Sequence, residues 1–325
     1  MGFDVDPLRR ELVALLLTAK ASPNTADPRG QTAVHRAASN GFSSIVRQLI
    51  EAKGDVNRKD VVSYTPATSA AESNHAVTLR LLVEAKADLD AGCGNGWNPI
   101  ISSGFAGHID ALQVLIEYKA DLDKPQHSNS TGTLMAAEKG HLDALRLLLQ
   151  AKTNPNHTKQ NGYTPLFMAS QFGRPDNVEL LIQFKAEVNK AASNGVAPLY
   201  IAVEQAHQNC VEHLLRGKAD VNRVHGRFGT VIELATRKRQ HTLLHMLKEA
   251  AAAAPVTRLT STAPTTSATA SATTTTSTSS ASTSVTDTAS TNARVPVRSS
   301  SSSARSNSNG PNTPEVVDHK CCIIC

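Results

Sequence analysis

The sequence predicts an all-α repeat solenoid with β-hairpin loops between its units, followed by a disordered tail. The first observation is a strict period, because lysines recur every 33 residues at Lys20, Lys53, Lys86, Lys119, Lys152, Lys185 and Lys218. The second is a short upstream motif, Thr-Pro-Leu at 164–166 and Ala-Pro-Leu at 197–199. A fixed period of this length indicates stacked structural repeats.

The upstream motif predicts where the first helix of each unit begins. Thr is a good helix N-cap, and Pro suits the first turn, where its missing N–H has no intrahelical partner. Small residues follow the motif, as at Ala136 and Ala137, and they let neighbouring helices approach closely. A turn such as Gly140-His141 then separates the first helix from a second one.

The second helix of each unit is amphipathic. Its apolar residues recur at i, i+1, i+4 and i+5, as in Ala144, Leu145, Leu148 and Leu149. It ends in a phrase such as Leu-Leu-Arg-Gly-Lys-Ala-Asp-Val-Asn at 214–222. No single unit can bury its apolar face alone, so the units are predicted to stack, each touching only its neighbours.

These motifs resemble the ankyrin repeat, whose pattern is Gly-x-Thr-Pro-Leu-His-x-Ala-Ala-x-x-Gly-His, then Leu-Leu, then Gly-Ala-Asp-Val-Asn. The resemblance covers about residues 7–250 without a change of register. It implies a stack of helix-turn-helix units. Such a stack binds proteins through its surface and is not catalytic.

The register also predicts the domain boundaries. An N-terminal capping half-repeat occupies 1–28, six repeats occupy 29–226, and a C-terminal capping repeat occupies 227–254. The six units run 29–61, 62–94, 95–127, 128–160, 161–193 and 194–226. The last segment places Arg237, Lys238, Arg239 and Lys248 where middle units have apolar or small residues, and a terminal cap requires such a polar outer face.

The periodic lysine itself departs from the ankyrin pattern, which has Gly after the second helix, where φ is positive. Lys in that conformation costs on the order of 1 kcal/mol relative to Gly. One interpretation is that lysine at this position is a feature of this repeat lineage. The other is that the lysines form a row that binds anions such as nucleic acid. Acidic residues two positions away, such as Glu51 and Asp55, argue against a bare basic stripe.

The N-terminal segment has some features of a signal peptide, because Arg9 and Arg10 precede a run of apolar residues. Lys20 is in phase with the other six lysines, so we interpret this stretch as a second helix and expect no secretion. A myristoylation motif also fails, because its sixth position is Asp6 rather than Ser or Thr. The net charge of +5 is a weak bias for any partner.

From about residue 255 the composition changes. Of the 55 residues from Val256 to Gly310, 31 are Ser or Thr, and hardly any carries a large apolar side chain. Such a segment cannot bury enough apolar surface to offset its ordering entropy. We therefore predict a disordered tether over 255–320.

The last five residues, 321–325, contain three of the five cysteines. Cys322-Ile-Ile-Cys fits the C-a-a-X pattern, so the segment resembles a prenylation box with Cys322 as the prenyl site and Cys321 as a palmitoyl site. The alternative is an unmodified or redox-active cysteine cluster. Adjacent cysteines lack the C-x₂-C spacing of zinc sites, so we expect no metal here.

The sequence gives no support for catalysis. Four of the twelve histidines occupy one repeat position, where we interpret them as scaffold residues that cap a turn: His75, His108, His141 and His207. Cys210 lies on an apolar helix face and Cys93 in a turn, and neither has a repeated His or acidic partner. We expect no catalytic residues, no cofactor and no metal site.

The resemblance implies a concave groove formed by hairpin tips and first helices. Partner contacts in such arrays come from the residue after the loop Gly and from the pair before the Gly-His turn. Together with two methionines one turn into the first helices, the predicted contact residues are Tyr64, Trp97, Phe105, Met135, Tyr163, Met168 and Phe172. Exposed aromatic residues often dominate binding energy, whereas the alternative is that some pack against the adjacent hairpin.

We therefore expect a non-catalytic scaffold or adaptor that binds proteins in this groove, as a monomer, in the cytoplasm. The lipidated tail would hold it on the cytosolic face of a membrane. One alternative is a soluble cytosolic or nuclear adaptor without lipid, for example for substrate recruitment. A nucleic-acid binder is a further alternative, against which the acidic neighbours of the lysines argue.

Overall fold

Helices occupy the periodic part of the chain at the predicted places. The computed structural model describes residues 6–253, which form fifteen α-helices and one 3-10 helix, with no strand in that range. The helices are α1 Asp6–Thr18, α2 Ala33–Ser39, α3 Ser43–Glu51, α4 Pro66–Glu72, α5 Ala76–Glu84, α6 Pro99–Ala106, α7 Ile109–Glu117, α8 Gly132–Lys139, α9 Leu142–Gln150, α10 Pro165–Gln171, α11 Pro175–Gln183, α12 Pro198–Glu204, α13 Gln208–Arg216, α14 Val231–Arg237 and α15 His241–Ala253, and the 3-10 helix is Gly226–Phe228.

The helices form two packed layers. The first helices α2, α4, α6, α8, α10, α12 and α14 pack in succession, and the second helices from α1 and α3 to α15 do the same. The two helices of one unit, such as α2 and α3, also pack against each other. Elements that contact only sequence neighbours and the next unit form a solenoid, so the all-α repeat architecture is confirmed.

The predicted caps explain where the first helices begin. The side chains of Thr65, Thr131 and Thr164 accept a hydrogen bond from the backbone N–H three residues on. Asn98 does the same at the start of α6. A proline follows the cap at α4, α6, α10 and α12, which suits the first turn of a helix.

The loops between units form hairpin-shaped turns rather than β-strands in the part of the chain that the structure describes. In one of them the N–H of Asp60 donates to the carbonyl of Tyr64 at 2.9 Å. The N–H of Val61 donates to the carbonyl of Arg29 in the preceding loop, also at 2.9 Å. Each loop is therefore bonded both within itself and to its neighbour.

A second set of bonds joins the units on the side of the second helices. The side-chain oxygen of Asn57 accepts from the N–H of Asp88 at 2.7 Å, and its amide nitrogen donates to the carbonyl of Lys86 at 3.0 Å. Equivalent acceptors stand every 33 residues at Asn24, Asn57, Asp90, Asp123, Asn156 and Asn189. This explains why the repeat phrase ends in Asn or Asp.

The predicted positive φ at the periodic lysines is confirmed. The seven φ angles lie between 58° and 70°. The backbone N–H of Lys86, for example, donates to the carbonyl of Val83 at 2.9 Å and closes the end of α5. All seven residues therefore adopt a left-handed conformation that favours glycine.

The repeated histidines are scaffold residues, but they do not cap their own turn as expected. The Nε2 atom of His108 lies 2.9 Å from the carbonyl of Glu72, one unit earlier, and His141 and His207 repeat the contact. Each of these three rings therefore ties the start of a second helix to the end of the first helix in the preceding unit.

Several sequence predictions lie outside the described residues. These are the disordered tether over 255–320 and the lipidation sites Cys321 and Cys322. The division into capping units and six repeats stays a prediction. Within residues 6–253, none of the helices combines the length and the apolar character that crossing a bilayer would need.

Candidate interaction surface

The ends of the first helices form one continuous surface, which we call the first-helix face. Because these helices pack in succession, residues 33 apart lie side by side along it. Its first row is Ser39, Glu72, Phe105, Glu138, Gln171, Glu204 and Arg237. Its second row is Asn40, Ser73, Ala106, Lys139, Phe172, Gln205 and Lys238. The carbonyls of five first-row residues accept from the next unit, which fixes the row to the scaffold.

Phe172 is the most exposed of the predicted contact residues. It is the C-cap of α10, and 43% of its surface is accessible. Tyr64, Phe105 and Tyr163 are partly buried. A ring left this exposed contributes less to the core than a fully buried ring does.

Trp97, Met135 and Met168 are buried, with 4%, 1% and 4% of their surfaces accessible. The expectation of exposed side chains is therefore wrong for these three. The ring of Trp97 meets that of Phe105 edge-on, with centroids 5.3 Å apart. The methionines lie one turn before the first-row residues of α8 and α10, two helices that each pack between neighbouring first helices.

Phe105 is held between Trp97 and a cation. The Nζ atom of Lys139 lies 4.6 Å from the centroid of the Phe105 ring. Lys139 also lies 3.6 Å from the carboxylate of Glu138, which Lys159 approaches to 3.4 Å from the following loop. Glu138 is buried, so two nearby ammonium groups offset the desolvation of its charge. These polar residues were not among those predicted from the sequence.

Tyr163 stacks on Phe167 with centroids 4.3 Å apart and planes nearly parallel. Phe167 is buried in α10. Its ring covers one face of the Tyr163 ring, and Tyr163 remains partly exposed. Tyr64 accepts at its carbonyl from the buried His35 ring at 3.1 Å. Both tyrosines thus lie in loops directly before the N-caps of the first helices α4 and α10.

The acidic neighbours of the periodic lysines do not pair with them. Asp55 and Asp88 each accept the backbone N–H two residues later, and Glu117 binds Arg80 through both oxygens at 2.6 and 2.7 Å. Among residues 6–253, none of the seven lysines lies within ion-pair distance of a carboxylate. The argument against a bare lysine row is therefore weaker than the sequence suggested.

The two cysteines of the described region are buried thiols. Burial, and secondarily Asp176, raises the pKa of the Cys210 thiol to about 11. The Sγ of Cys93 donates to the side-chain oxygen of Asn95 at 2.7 Å. A raised thiol pKa opposes formation of the nucleophilic thiolate. Residues 6–253 contain no group of three or more side chains placed to bind a metal.

Comparison with known proteins agrees with this architecture. The family model described as "Ankyrin repeats (3 copies)" matches residues 8–91, 54–126 and 133–225. The human ASB11 ankyrin repeat domain matches with a TM-score of 0.61 and 22% identity, over 67% of this chain and 98% of that one. An ankyrin repeat domain from Acinetobacter baumannii AYE matches with a TM-score of 0.54 and 27% identity, over 57% and 98%. No curated protein matches the sequence.

Proposed function

The chain belongs to the ankyrin-repeat family, and from this premise we propose that it is a protein-binding scaffold whose contact surface is the first-helix face. Ankyrin repeats are generally protein–protein interaction modules and typically non-catalytic. Repeat stacking creates an extended concave surface of the kind that such proteins use for binding.

The observation that carries the proposal is the exposed ring of Phe172. It stands in the second row of the first-helix face, one unit after the charged pair Glu138 and Lys139 and at the opposite end of α10 from the partly buried Tyr163. An aromatic anchor surrounded by polar residues is typical of the centre of a binding surface. Phe105 extends the first row of this face toward the N-terminus, while Tyr64 lies in the loop before α4.

Affinity purification of the full chain from its own cells, with and without Phe172→Ala, tests this role. We expect the variant to lose at least tenfold of a specifically enriched protein, which is about 1.4 kcal/mol of binding energy. Val77→Ala is the matched control, because Val77 is 66% exposed but lies on the second helix α5. Equal recovery by both variants would place the binding surface elsewhere.

We propose further that the scaffold is tethered to the cytosolic face of a membrane through Cys322. The support is the sequence Cys322-Ile-Ile-Cys, which acts as a prenylation signal only at a free C-terminus. One prenyl chain gives marginal and reversible anchoring, so a second signal is needed. Cys321 can provide it by palmitoylation.

Fractionation of cells that express Cys322→Ser or Cys321→Ser tests the tether. We expect Cys322→Ser to leave the protein cytosolic, and Cys321→Ser to give partial, faster-exchanging membrane association. The mass of the C-terminal peptide provides a direct check. An unmodified peptide, with the same distribution for wild type and both variants, would favour the soluble adaptor.

A further inference from the structure

Basic side chains gather at the C-terminal end of the first-helix face. Arg237 ends the first row and Lys238 ends the second, while Arg239 follows with a φ of 56°. All three are exposed. Arg239 stands just before α15, a 13-residue helix whose N-terminus adds a partial positive charge. This end of the face therefore has a positive potential.

Two of the carboxylates near this end have partners of their own, whereas the carboxylate of Glu204 and the guanidinium of Arg237 both lie close enough to Tyr200 to act on its hydroxyl. Glu233 accepts the backbone N–H of Thr230 at 3.0 Å in a capping box, and Glu249 lies 3.4 Å from His245. Lys238 donates to the backbone carbonyl of Glu204 at 2.6 Å, not to its carboxylate. In the described part of the chain, no carboxylate lies within ion-pair distance of Arg237, Lys238 or Arg239.

The middle of the face has a different character. Residues 91–107, which include Trp97 and Phe105, contain no charged side chain. Phe172 stands in the second row two helices before Lys238, and packed helices lie roughly 8–10 Å apart. The exposed ring and the basic end are thus separated by roughly 16–20 Å, a span of about five or six extended residues.

We propose that the partner presents an extended acidic segment, with an apolar or aromatic anchor on Phe172 and carboxylates on Arg237, Lys238 and Arg239. The inference rests on the proposed function, because it names the chemistry of the protein bound by the same face. Charge complementarity selects the acidic partner, since it raises the association rate and disfavours basic competitors. The anchor and the acidic residues lie about five residues apart in the partner.

Fluorescence anisotropy with the full chain and labelled synthetic peptides tests the inference. The probe is a peptide of about twelve residues with Phe at one end, a neutral spacer of about five residues and a run of Glu, made in both chain directions. A peptide with Lys in place of Glu is its control. We expect salt-sensitive binding of one Glu peptide and at least tenfold weaker binding of the Lys peptide.

Two double charge reversals test whether the acidic peptide binds at the basic end of the first-helix face. We expect Lys238→Glu with Arg239→Glu to weaken binding of the acidic peptide at least tenfold. The control pair, Arg47→Glu with Lys53→Glu, changes the net charge equally at two exposed residues away from the first-helix face and should leave binding within twofold. Melting curves confirm that both pairs fold.

Three results would overturn the inference. If both double variants weaken binding of the acidic peptide equally, the binding depends on the net charge of the protein and not on the basic end of the face. Tighter binding of a single-stranded DNA of about 20 nucleotides than of the Glu peptide would favour nucleic acid as the partner. If Phe172→Ala abolishes partner recovery but the Lys238 and Arg239 pair does not, the scaffold function stands and the acidic chemistry is wrong.

Discussion

Each periodic lysine has a left-handed backbone that a glycine would adopt with less strain. Lys86 has a φ of 70°, is exposed and has no ion-pair partner among the residues described. We therefore expect Lys86→Gly to raise the free energy of unfolding by about 0.5–1 kcal/mol, measured by urea denaturation. Lys86→Ala is the control, because it removes the charge but keeps Cβ. A similar gain in both variants would show that charge, rather than backbone strain, sets the stability at this position.

The buried ring of His35 gives a prediction about pH. Its Nδ1 accepts from the N–H of Thr32 at 3.2 Å and its Nε2 lies 3.1 Å from the carbonyl of Tyr64, so the neutral ring satisfies both. Burial lowers the pKa of His35, while the carbonyl of Tyr64 acts in the opposite direction. Below about pH 6.5 the unfolded state therefore binds more protons than the folded state, and stability falls as the pH decreases.

The His35→Gln variant should reduce this slope between pH 7.5 and 5.5 in urea denaturation. Gln at the third helical position can retain the capping box with Thr32, but it does not titrate. His241→Gln, at an exposed residue that begins α15, serves as the comparison and should keep the wild-type slope. An unchanged slope in His35→Gln would assign the pH dependence to other groups, such as the buried His225, whose pKa burial also lowers.

At the scale of the helices, two departures from the repeat pattern explain each other. Gly104 in α6 stands where other units have Ala71 or Ala137, and Gly132 in α8 stands where α4, α6, α10 and α12 have Pro. A Cβ at Gly104 would lie 2.5 Å from the carbonyl oxygen of Gly132, and one at Gly132 would lie 2.8 Å from that of Ile100. The missing side chains therefore allow α6 and α8 to approach unusually closely.

Gly104→Ala should consequently destabilise the protein by about 1–3 kcal/mol, as overpacking does in other cores. Helix propensity alone predicts the opposite, a gain of roughly 0.5–1 kcal/mol. The matched change Gly94→Ala should have little effect, because its Cβ would meet nothing closer than 3.8 Å. A stabilised Gly104→Ala variant, again by urea denaturation, would show that the two helices can move apart at little cost.

The sequence predicts the helices well because caps, small residues and apolar period recur in phase. Thr65, Thr164 and the seven lysines each adopt the conformation that their position in the repeat predicts. The sequence left burial of Trp97 open, because a loop aromatic is covered or exposed according to the side chains that pack around it, here including Phe105. The contact between Gly104 and Gly132 joins residues on neighbouring first helices. The sequence pattern within one unit does not predict such a contact.

Over the whole molecule, stability depends on how many neighbours each unit has. Middle helices such as α7 pack between two second helices and against their own first helix. The helix α1 packs against α3 but has four exposed leucines, Leu8, Leu12, Leu15 and Leu16, with 51% to 70% of their surfaces accessible. In a linear stack the end units open first, because fewer interfaces hold them.

We therefore expect the amides of α1 to exchange with deuterium at a lower opening free energy than those of α7 or α9. Replacing Leu8 and Leu12 with Ser should change the unfolding free energy by less than about 0.5 kcal/mol, because exposed side chains contribute little to the core. Leu145→Ala is the comparison, since that fully buried residue should cost about 2–5 kcal/mol. Equal protection of α1 and α7 would contradict this order of opening. Protection of α1 that rises with protein concentration would instead indicate that a second copy covers the leucines, because only association makes local stability depend on concentration.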